Sequence, residues 1–180
     1  MNKSNDVFQI MIISDSHGNI DFVEQFLKKI RHEQVDLIYH LGDYYDDADP
    51  IIQRGYPCVR VPGTWTSYYQ DYRFENRRIE EINTWRIYLT HTPTKHYNDL
   101  PDDTDPQEII SQNMADIVCH GHTHVWQVKE KNNVVIINPG HIKSANDNGK
   151  SPTFAKLKIL NNQYVEIEIV ELLTKTILYK

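Results

Sequence analysis

Four short motifs contain the side chains of this sequence that are best suited to bind metal ions or to catalyse a reaction. They are Asp15-Ser16-His17, Gly42-Asp43, His91 and Gly121-His122-Thr123-His124. Carboxylate oxygens and neutral imidazoles bind divalent metal ions, and a bridging carboxylate can hold two ions close together. Each motif alone is a weak signal, because aspartate often forms turns and a single histidine is more often structural. Their joint occurrence favours a two-metal hydrolytic site.

The four motifs follow apolar runs that are typical of short buried strands. These runs are Phe8–Ile13, Leu37–Leu41, Trp85–Thr90 and Asp116–Cys119. Between the first two, apolar residues recur at helical spacing from Val23 to Ile30, after Asn19 as a helix N-cap. A strand–helix–strand unit of this kind places ligand-binding residues at the carboxyl ends of its strands. Within Asp15-x-His17 and His122-x-His124, an extended backbone would point both side chains the same way.

The rest of the chain changes from α/β character to β-hairpins. Further strands are predicted at Cys58–Val61 and Phe74–Glu81, and a short helix at Pro106–Asn113. Two hairpins are predicted, each turning at an Asn-Asn pair: Val125–Lys131 with Val134–Asn138, and Phe154–Leu160 with Tyr164–Leu173. Neither a repeat nor a linker is evident. We therefore expect residues 1–180 to form a single domain with two packed sheets and helices outside.

Charge and composition exclude several kinds of partner. The 180 residues include 19 basic and 25 acidic side chains, giving a net charge of −6, and no lysine- or arginine-rich tract. This argues against binding of long nucleic acid but allows a small nucleotide or phosphate ester. The two cysteines form no Cys-x-x-Cys motif, so reduced thiols are expected. Apolar runs are too short for a signal peptide or a membrane span, which predicts a cytoplasmic protein without a membrane partner.

The motif order, together with Ile137-Asn138-Pro139-Gly140, resembles the calcineurin-like metallophosphoesterases. Within that superfamily the sequence is most similar to the small bacterial YfcE-like phosphodiesterase branch, from about Ile10 to about Gly140. The resemblance implies an α/β fold, a four-layer α/β/β/α sandwich of two mixed β-sheets flanked by helices. It also implies a metal-dependent phosphoesterase, most often a phosphodiesterase, that hydrolyses small phosphate esters with a metal-bridging hydroxide.

The resemblance further implies two divalent metal ions and assigns their ligands. The first ion would take Asp15, His17, Asp43 and His124. The second would share Asp43 as the bridge and add His91 and His122. Aspartate and histidine without thiolate favour Mn²⁺, with Fe, Zn²⁺ or Ni²⁺ as alternatives.

The third motif departs from the family pattern. The family has Gly-Asn there, with the asparagine on the second ion, whereas this chain reads Pro62-Gly63-Thr64-Trp65. Thr64 is retained as a candidate ligand of the second ion, and Thr64 and Trp65 as candidate substrate-binding residues. Trp65 cannot act as a general acid, so an active enzyme is expected to favour esters with good leaving groups. The alternative is a weakened or inactive protein-binding scaffold, similar in kind to the metallophosphoesterase-like subunit of retromer.

Several other side chains receive less specific interpretations. The aromatic residues Trp65, Tyr68, Tyr69 and Tyr72, with Tyr44-Tyr45, could stack a nucleobase, but ordinary loop packing is favoured. The acidic loop Asp99–Asp105 is interpreted as a solvated surface. A structural or solvated role is expected for four other histidines: His32, His40, His96 and His120. Self-association into a homo-oligomer is left open.

Overall fold

The computed structural model describes residues 7–160 and 163–180, which contain eleven strands and three α-helices. The helices are α1 (Ile20–Ile30), α2 (Asp49–Gln53) and α3 (Pro106–Ser111), and two 3₁₀ turns lie at Tyr45–Ala48 and Ser67–Gln70. The strands are β1 (Val7–Ile13), β2 (Leu37–His40), β3 (Cys58–Arg60), β4 (Arg77–Ile82), β5 (Trp85–Thr90), β6 (Ile117–Cys119), β7 (Gln127–Lys131), β8 (Val134–Asn138), β9 (Thr153–Leu160), β10 (Tyr164–Glu171) and β11 (Ile177–Tyr179).

The strands form two mixed sheets. The first has the order β11-β10-β9-β1-β2-β3, in which β1 pairs parallel with β2 and antiparallel with β9. The second has the order β4-β5-β6-β8-β7, with β5, β6 and β8 parallel. Because β1 is covered on both faces, its residues Ile10 to Ile13 are fully buried, as its continuous apolar run predicts.

Three apolar clusters separate four layers. The largest lies between the sheets and contains Ile10 and Tyr39 from the first and Ile87 and Ile117 from the second. A second cluster packs α1 and α2 on the outer face of the first sheet, and a third packs α3 on the second sheet. Two mixed sheets with helices outside confirm the predicted α/β/β/α sandwich.

The carboxyl ends of parallel strands from both sheets meet at one edge of the sandwich. In the first sheet β1 and β2 run parallel, and in the second β5 and β6 do. The Gly121 backbone N–H donates to the carbonyl of His91 at 3.0 Å, which joins the segments that follow β6 and β5. The His122 backbone N–H donates to the Asp15 carboxylate at 3.0 Å, which joins the two sheets. The four motifs therefore lie together.

Helix α1 begins as the sequence predicts. Asn19 is its N-cap and accepts a hydrogen bond from the Phe22 backbone N–H. The apolar face of the helix, from Val23 to Ile30, is buried against the first sheet. This helix and its cap place the Asp15–His17 segment between the end of β1 and a fixed helix start.

Some predicted boundaries are wrong, and four elements were missed. The α3 helix stops at Ser111 because Asn113 is left-handed, with φ of 52°. Strand β4 begins at Arg77 because Phe74 lies in a turn that follows Asp71. Helix α2, the 3₁₀ turns and β11 were not predicted, because each is too short to show a hydrophobic period.

The two predicted hairpin turns have different outcomes. Asn132 and Asn133 have φ of 53° and 60°, as a type I′ turn requires, and join β7 to β8. The predicted Asn161-Asn162 turn falls outside the described residues, as do the polar residues Met1 to Asp6. Within residues 7–160 and 163–180, none of the helices has the length and apolar character needed to cross a membrane.

Candidate functional site

Four of the predicted ligands form a compact cluster at the edge of the sandwich. One ligand atom from each of Asp15, His17, Asp43 and His124 lies within 4.8 Å of all the others. The His17 Nε2 atom is 2.6 Å from Asp43 Oδ2 and 3.0 Å from His124 Nε2. The His124 Nε2 atom is 3.5 Å from Asp15 Oδ1. These four side chains could hold one ion.

His91 and His122 lie beside this cluster and share Asp43 with it. The His91 Nε2 atom is 3.6 Å from Asp43 Oδ1, the oxygen other than the one near His17. The His122 Nδ1 atom is 3.3 Å from His91 Nε2. Asp43 thus offers one oxygen to each side, which is the arrangement that a carboxylate bridging two ions needs.

The backbone of the site is strained at five of these six residues. Asp15, His17, Asp43, His122 and His124 have φ between 49° and 69°. The expected extended backbone at Asp15-x-His17 and His122-x-His124 is therefore wrong. Left-handed backbone costs a non-glycine residue roughly 1–2 kcal/mol, and such strain clusters at functional sites. The Asp47 carboxylate, which the sequence analysis missed, stabilises the first of these loops by accepting from Ser16 Oγ at 2.5 Å and Gly18 N–H at 2.7 Å.

Two histidines are oriented by hydrogen bonds at the ring nitrogen that faces away from the cluster. His91 Nδ1–H donates to the carbonyl of Leu41 at 2.8 Å, so Nε2 presents its lone pair to Asp43. His124 Nδ1–H donates to Asp147 at 2.5 Å, which leaves Nε2 free in the same way. A carboxylate behind a histidine is the usual support of a metal-ligating imidazole. Asp147 was not a candidate, because nothing in its local sequence connects it to His124.

Burial and charge separate the two aspartates. Burial and the nearby Asp43 raise the pKa of Asp15 well above its ordinary value. Burial also acts to raise the pKa of Asp43, but the imidazoles of His17, His91 and His124 outweigh it and the pKa is lowered. Burial lowers the pKa of His91 to about 4, which keeps the ring neutral and able to bind a metal at neutral pH.

The donor set fits a divalent metal ion better than it fits a self-contained hydrogen-bond network. Asp43 Oδ2 is buried 2.6 Å from His17 Nε2, and the same nitrogen lies 3.0 Å from His124 Nε2. His17 Nε2 carries at most one proton, so it can donate to only one of these two acceptors. A cation at this position would be bound by all three atoms.

Thr64 is buried next to the loop that contains Asp43, and its hydroxyl has no partner among the described residues. The residue is 2% exposed, and Oγ1 makes no hydrogen bond among the described residues. Its loop is fixed by the Gly63 N–H, which donates to the Asp43 carbonyl at 2.9 Å, and by Asn98 Nδ2, which donates to the Thr64 carbonyl. An unpaired hydroxyl in this position could bind an ion, a water or a substrate oxygen.

His96, for which a structural or solvated role is expected, lies near the site. Its ring centroid is 6.2 Å from that of His122 and 5.8 Å from that of Trp65. The Asn98 backbone N–H donates to His96 Nδ1, so the neutral ring has its proton on Nε2. No sequence signal separated His96 from the other histidines, because its loop lacks an apolar pattern.

The solvated surface predicted for Asp99–Asp105 is wrong at Asp99. Its carboxylate is 2.5 Å from Arg77 Nη2, and both side chains are 2% exposed. It also accepts hydrogen bonds from the Tyr69 hydroxyl and from the His96 backbone N–H. Buried charges need such partners, and here they fix the loop that contains His96.

The aromatic residues near the third motif divide into packed and open groups. Tyr69 is fully buried, which confirms the packing interpretation for that residue. Tyr68 packs on Tyr45 with ring centroids 4.9 Å apart. Trp65 and Tyr72 are each 72% exposed, so packing does not account for them.

Comparisons with known proteins agree with this geometry. Residues 8–162 match the model of the calcineurin-like phosphoesterase superfamily domain. A probable metallophosphoesterase, YsnB of Bacillus subtilis, is 28% identical over 137 residues, covering 74% of this chain and 75% of that protein.

Solved structures share the fold. YfcE, a phosphoesterase from E. coli, superposes with a TM-score of 0.69 at 18% identity, covering 96% of this chain and 97% of that one. Vps29 from Entamoeba histolytica in complex with Zn²⁺ superposes with a TM-score of 0.68 at 20% identity, covering 94% of this chain and 96% of that one.

Proposed function

This chain belongs to the calcineurin-like phosphoesterase superfamily, and from that premise we propose that it is a metal-dependent phosphodiesterase acting on small phosphate esters. The observation that supports this most strongly is the clustering of Asp15, His17, Asp43 and His124 within 4.8 Å. A solvent-facing cluster of this composition suits hydrolysis better than it suits a structural metal site, which is usually closed by thiolates and histidines.

We propose seven metal-binding residues in two overlapping groups. One ion is held by Asp15, His17, Asp43 and His124. A second is held by Asp43, His91 and His122, with the Thr64 hydroxyl as a weaker fourth ligand. Divalent ions at these positions would neutralise charge on the phosphoryl oxygens and lower the pKa of a water molecule. Mn²⁺ is our first choice of metal, because the donors are carboxylates and imidazoles without thiolate.

Side chains around the cluster orient the metal ligands and offer a hydrogen-bond donor to the ester. Hydrogen bonds to the Leu41 carbonyl and to Asp147 hold the rings of His91 and His124 in one orientation each. The two side chains therefore need little rearrangement when a metal ion and its ester bind. Among the described residues the Thr64 hydroxyl has no hydrogen-bond partner, so it is suited to donate to a substrate oxygen. Trp65, which follows it, has no acidic proton to give to a leaving group, and this supports a preference for esters with good leaving groups.

The diester preference is tested by two substrates that release the same product. We expect kcat/KM with Mn²⁺ to be at least about tenfold higher for bis-p-nitrophenyl phosphate than for p-nitrophenyl phosphate. The diester has one negative charge instead of two at neutral pH and meets less repulsion from the acidic protein. A ratio of one or below would identify a monoesterase and would reject this part of the proposal.

A protein-binding scaffold is the second candidate, and Thr64 and Trp65 favour it. A hydroxyl is a poorer ligand than an amide carbonyl, so the second ion could be held too weakly for turnover. Trp65 is 72% exposed beside the site, as a residue that contacts a protein partner would be. The argument against it is the ligand set that remains. A scaffold that no longer hydrolyses esters is expected to have lost several of Asp15, His17, Asp43, His91, His122 and His124.

Thr64→Asn separates the two candidates. We expect the amide oxygen to bind the second ion more tightly, by about tenfold to a hundredfold, which is roughly 1.4–2.8 kcal/mol. The measurement is the Mn²⁺ concentration that gives half-maximal hydrolysis of bis-p-nitrophenyl phosphate. Thr64→Val serves as the matched control, because it keeps the side-chain shape, removes the hydroxyl and should raise that concentration. Activity that appears only in Thr64→Asn would favour the scaffold for the natural chain.

A further inference from the structure

An open cavity with aromatic walls lies beside the metal-binding cluster. Its volume is about 400 Å³, within the range of small-molecule sites. It lies between the segment that follows β2 and the segment that follows β3. Tyr44 and Tyr45 from the first segment and Trp65 and Tyr68 from the second line it. The proposed function leaves this cavity unexplained.

Three connections join the cavity to the cluster. Tyr44 follows Asp43 directly, and Trp65 follows Thr64 directly. Asp47 lines the cavity and accepts from Ser16 Oγ and the Gly18 N–H, the residues on either side of His17. The cavity is therefore built from the same loops that hold His17, Asp43 and Thr64, and the organic group of an ester bound at the cluster would lie on this side.

The two aromatic rings nearest the cluster are open to a ligand. Trp65 is 72% exposed and Tyr44 is 53% exposed. Trp65 is positioned by His96 and Tyr97, whose rings lie at 82° and 66° to it, so neither stacks parallel to the indole. Tyr45, in contrast, has the Arg60 guanidinium over its ring at 4.0 Å and is already covered. Trp65 and Tyr44 are thus the rings available for stacking.

The charge of the cavity selects the kind of group that fits. Asp46 is exposed at its wall, and the Tyr68 hydroxyl donates to both oxygens of its carboxylate, at 3.0 and 2.8 Å. The residues that line the cavity, all within the described part of the chain, include two aspartates and neither lysine nor arginine. A second phosphate is repelled there, whereas an uncharged ring with N–H donors can be bound by the carboxylate.

We propose that this cavity binds the nucleobase of a nucleoside monophosphate ester, stacked on Trp65 and bonded to Asp46. The inference rests on the proposed function, since it deepens the substrate class of the same site. Stacking of one base on an aromatic side chain is worth about a tenfold to hundredfold change in affinity.

The kinetic test uses two diesters with the same leaving group: thymidine 5′-(p-nitrophenyl phosphate) and methyl p-nitrophenyl phosphate. With Mn²⁺ we expect kcat/KM for the nucleoside ester to exceed that for the methyl ester by at least about tenfold. Trp65→Ala should lower this ratio about tenfold or more. Tyr72→Ala is the matched control, because Tyr72 is equally exposed but does not line the cavity, and it should leave the ratio unchanged. A wild-type ratio near one would overturn the inference.

A binding test separates failure of this inference from failure of the proposed function. Calorimetry in Mn²⁺ would compare adenosine 5′-monophosphate with ribose 5-phosphate, which lacks the base. We expect at least about tenfold tighter binding of the nucleotide, lost in Trp65→Ala. Tighter binding of the nucleotide without hydrolysis of any ester would support base binding in the cavity and reject the proposed phosphodiesterase activity. Equal affinities together with hydrolysis would support the phosphodiesterase activity and overturn base binding in the cavity. Equal affinities would also be the result if these aromatic rings instead contact a protein.

Discussion

Asp43→Asn is expected to lower the hydrolysis of bis-p-nitrophenyl phosphate by at least about a thousandfold, roughly 4 kcal/mol of transition-state stabilisation. Asp43 is the residue that lies between both groups of proposed ligands, 2.6 Å from His17 Nε2 and 3.6 Å from His91 Nε2. The change removes one negative charge and replaces one carboxylate oxygen by an amide nitrogen that cannot bind a metal. Both ions should be weakened together, so added Mn²⁺ should not restore the rate.

The same variant should remain folded. The neutral amide removes the repulsion between Asp43 and Asp15, but it also removes the attraction of the Asp43 carboxylate to the imidazoles of His17, His91 and His124. Because the two effects oppose each other, we expect only a small change in the melting temperature of the metal-free protein. Asp102→Asn is the matched control. Asp102 is exposed in the loop before α3, so this variant makes the same chemical change away from the cluster and should keep wild-type activity. Activity of Asp43→Asn within tenfold of the wild type would contradict the assignment of the bridge.

Gly63→Ala is expected to destabilise the protein by about 3 kcal/mol, measured by urea unfolding in the presence of EDTA. A Cβ at this position would lie 2.5 Å from Asp43 Cα, 2.6 Å from its carbonyl oxygen and 2.7 Å from its nitrogen. These are backbone atoms and cannot move aside as a side chain can. The close approach of Gly63 to Asp43 is what places the third motif beside the second.

Gly55→Ala is the control for this prediction. Gly55 has φ of 83°, so alanine is strained there, but its Cβ would meet no atom within 4 Å. Its cost should be about 1 kcal/mol, from the backbone alone. Equal losses of stability in the two variants would show that the approach of Gly63 to Asp43 does not constrain the site.

The part of the fold that the sequence predicts well consists of elements with strong local signals. Strand β1 shows an uninterrupted apolar run at Ile10–Ile13, and α1 combines a helical period with the Asn19 cap. Both elements are determined by residues close in sequence, whose apolar pattern shows which faces will be buried. Helix α2 and strand β11 have only five and three residues, and their formation depends on packing against elements distant in the sequence.

The candidate ligands were identifiable for a related reason. Asp15, Asp43 and His91 each lie within three residues of the end of a buried strand, and parallel strands bring their carboxyl ends to one edge. The left-handed backbone at Asp15 and Asp43 was not predicted, because only glycine, asparagine and aspartate adopt it readily and the tertiary contacts decide where.

The supporting residues were missed because their contacts are long-range. Asp47 lies 31 residues from Ser16, and Asp147 lies 23 residues from His124. His96 approaches His122 only because the buried Asp99–Arg77 pair fixes its loop. None of these contacts leaves a periodic pattern or a motif in the chain, so a structure is needed to find them.

The central claim is that this chain binds divalent ions at Asp43 and uses them to hydrolyse phosphodiesters. Its most direct test is hydrolysis of bis-p-nitrophenyl phosphate by protein stripped with EDTA and then titrated with Mn²⁺, with bound metal measured in the same samples. We predict no turnover in the stripped protein and full activity when two ions are bound per chain. Two bound ions without hydrolysis, or hydrolysis that persists in EDTA, would contradict the account.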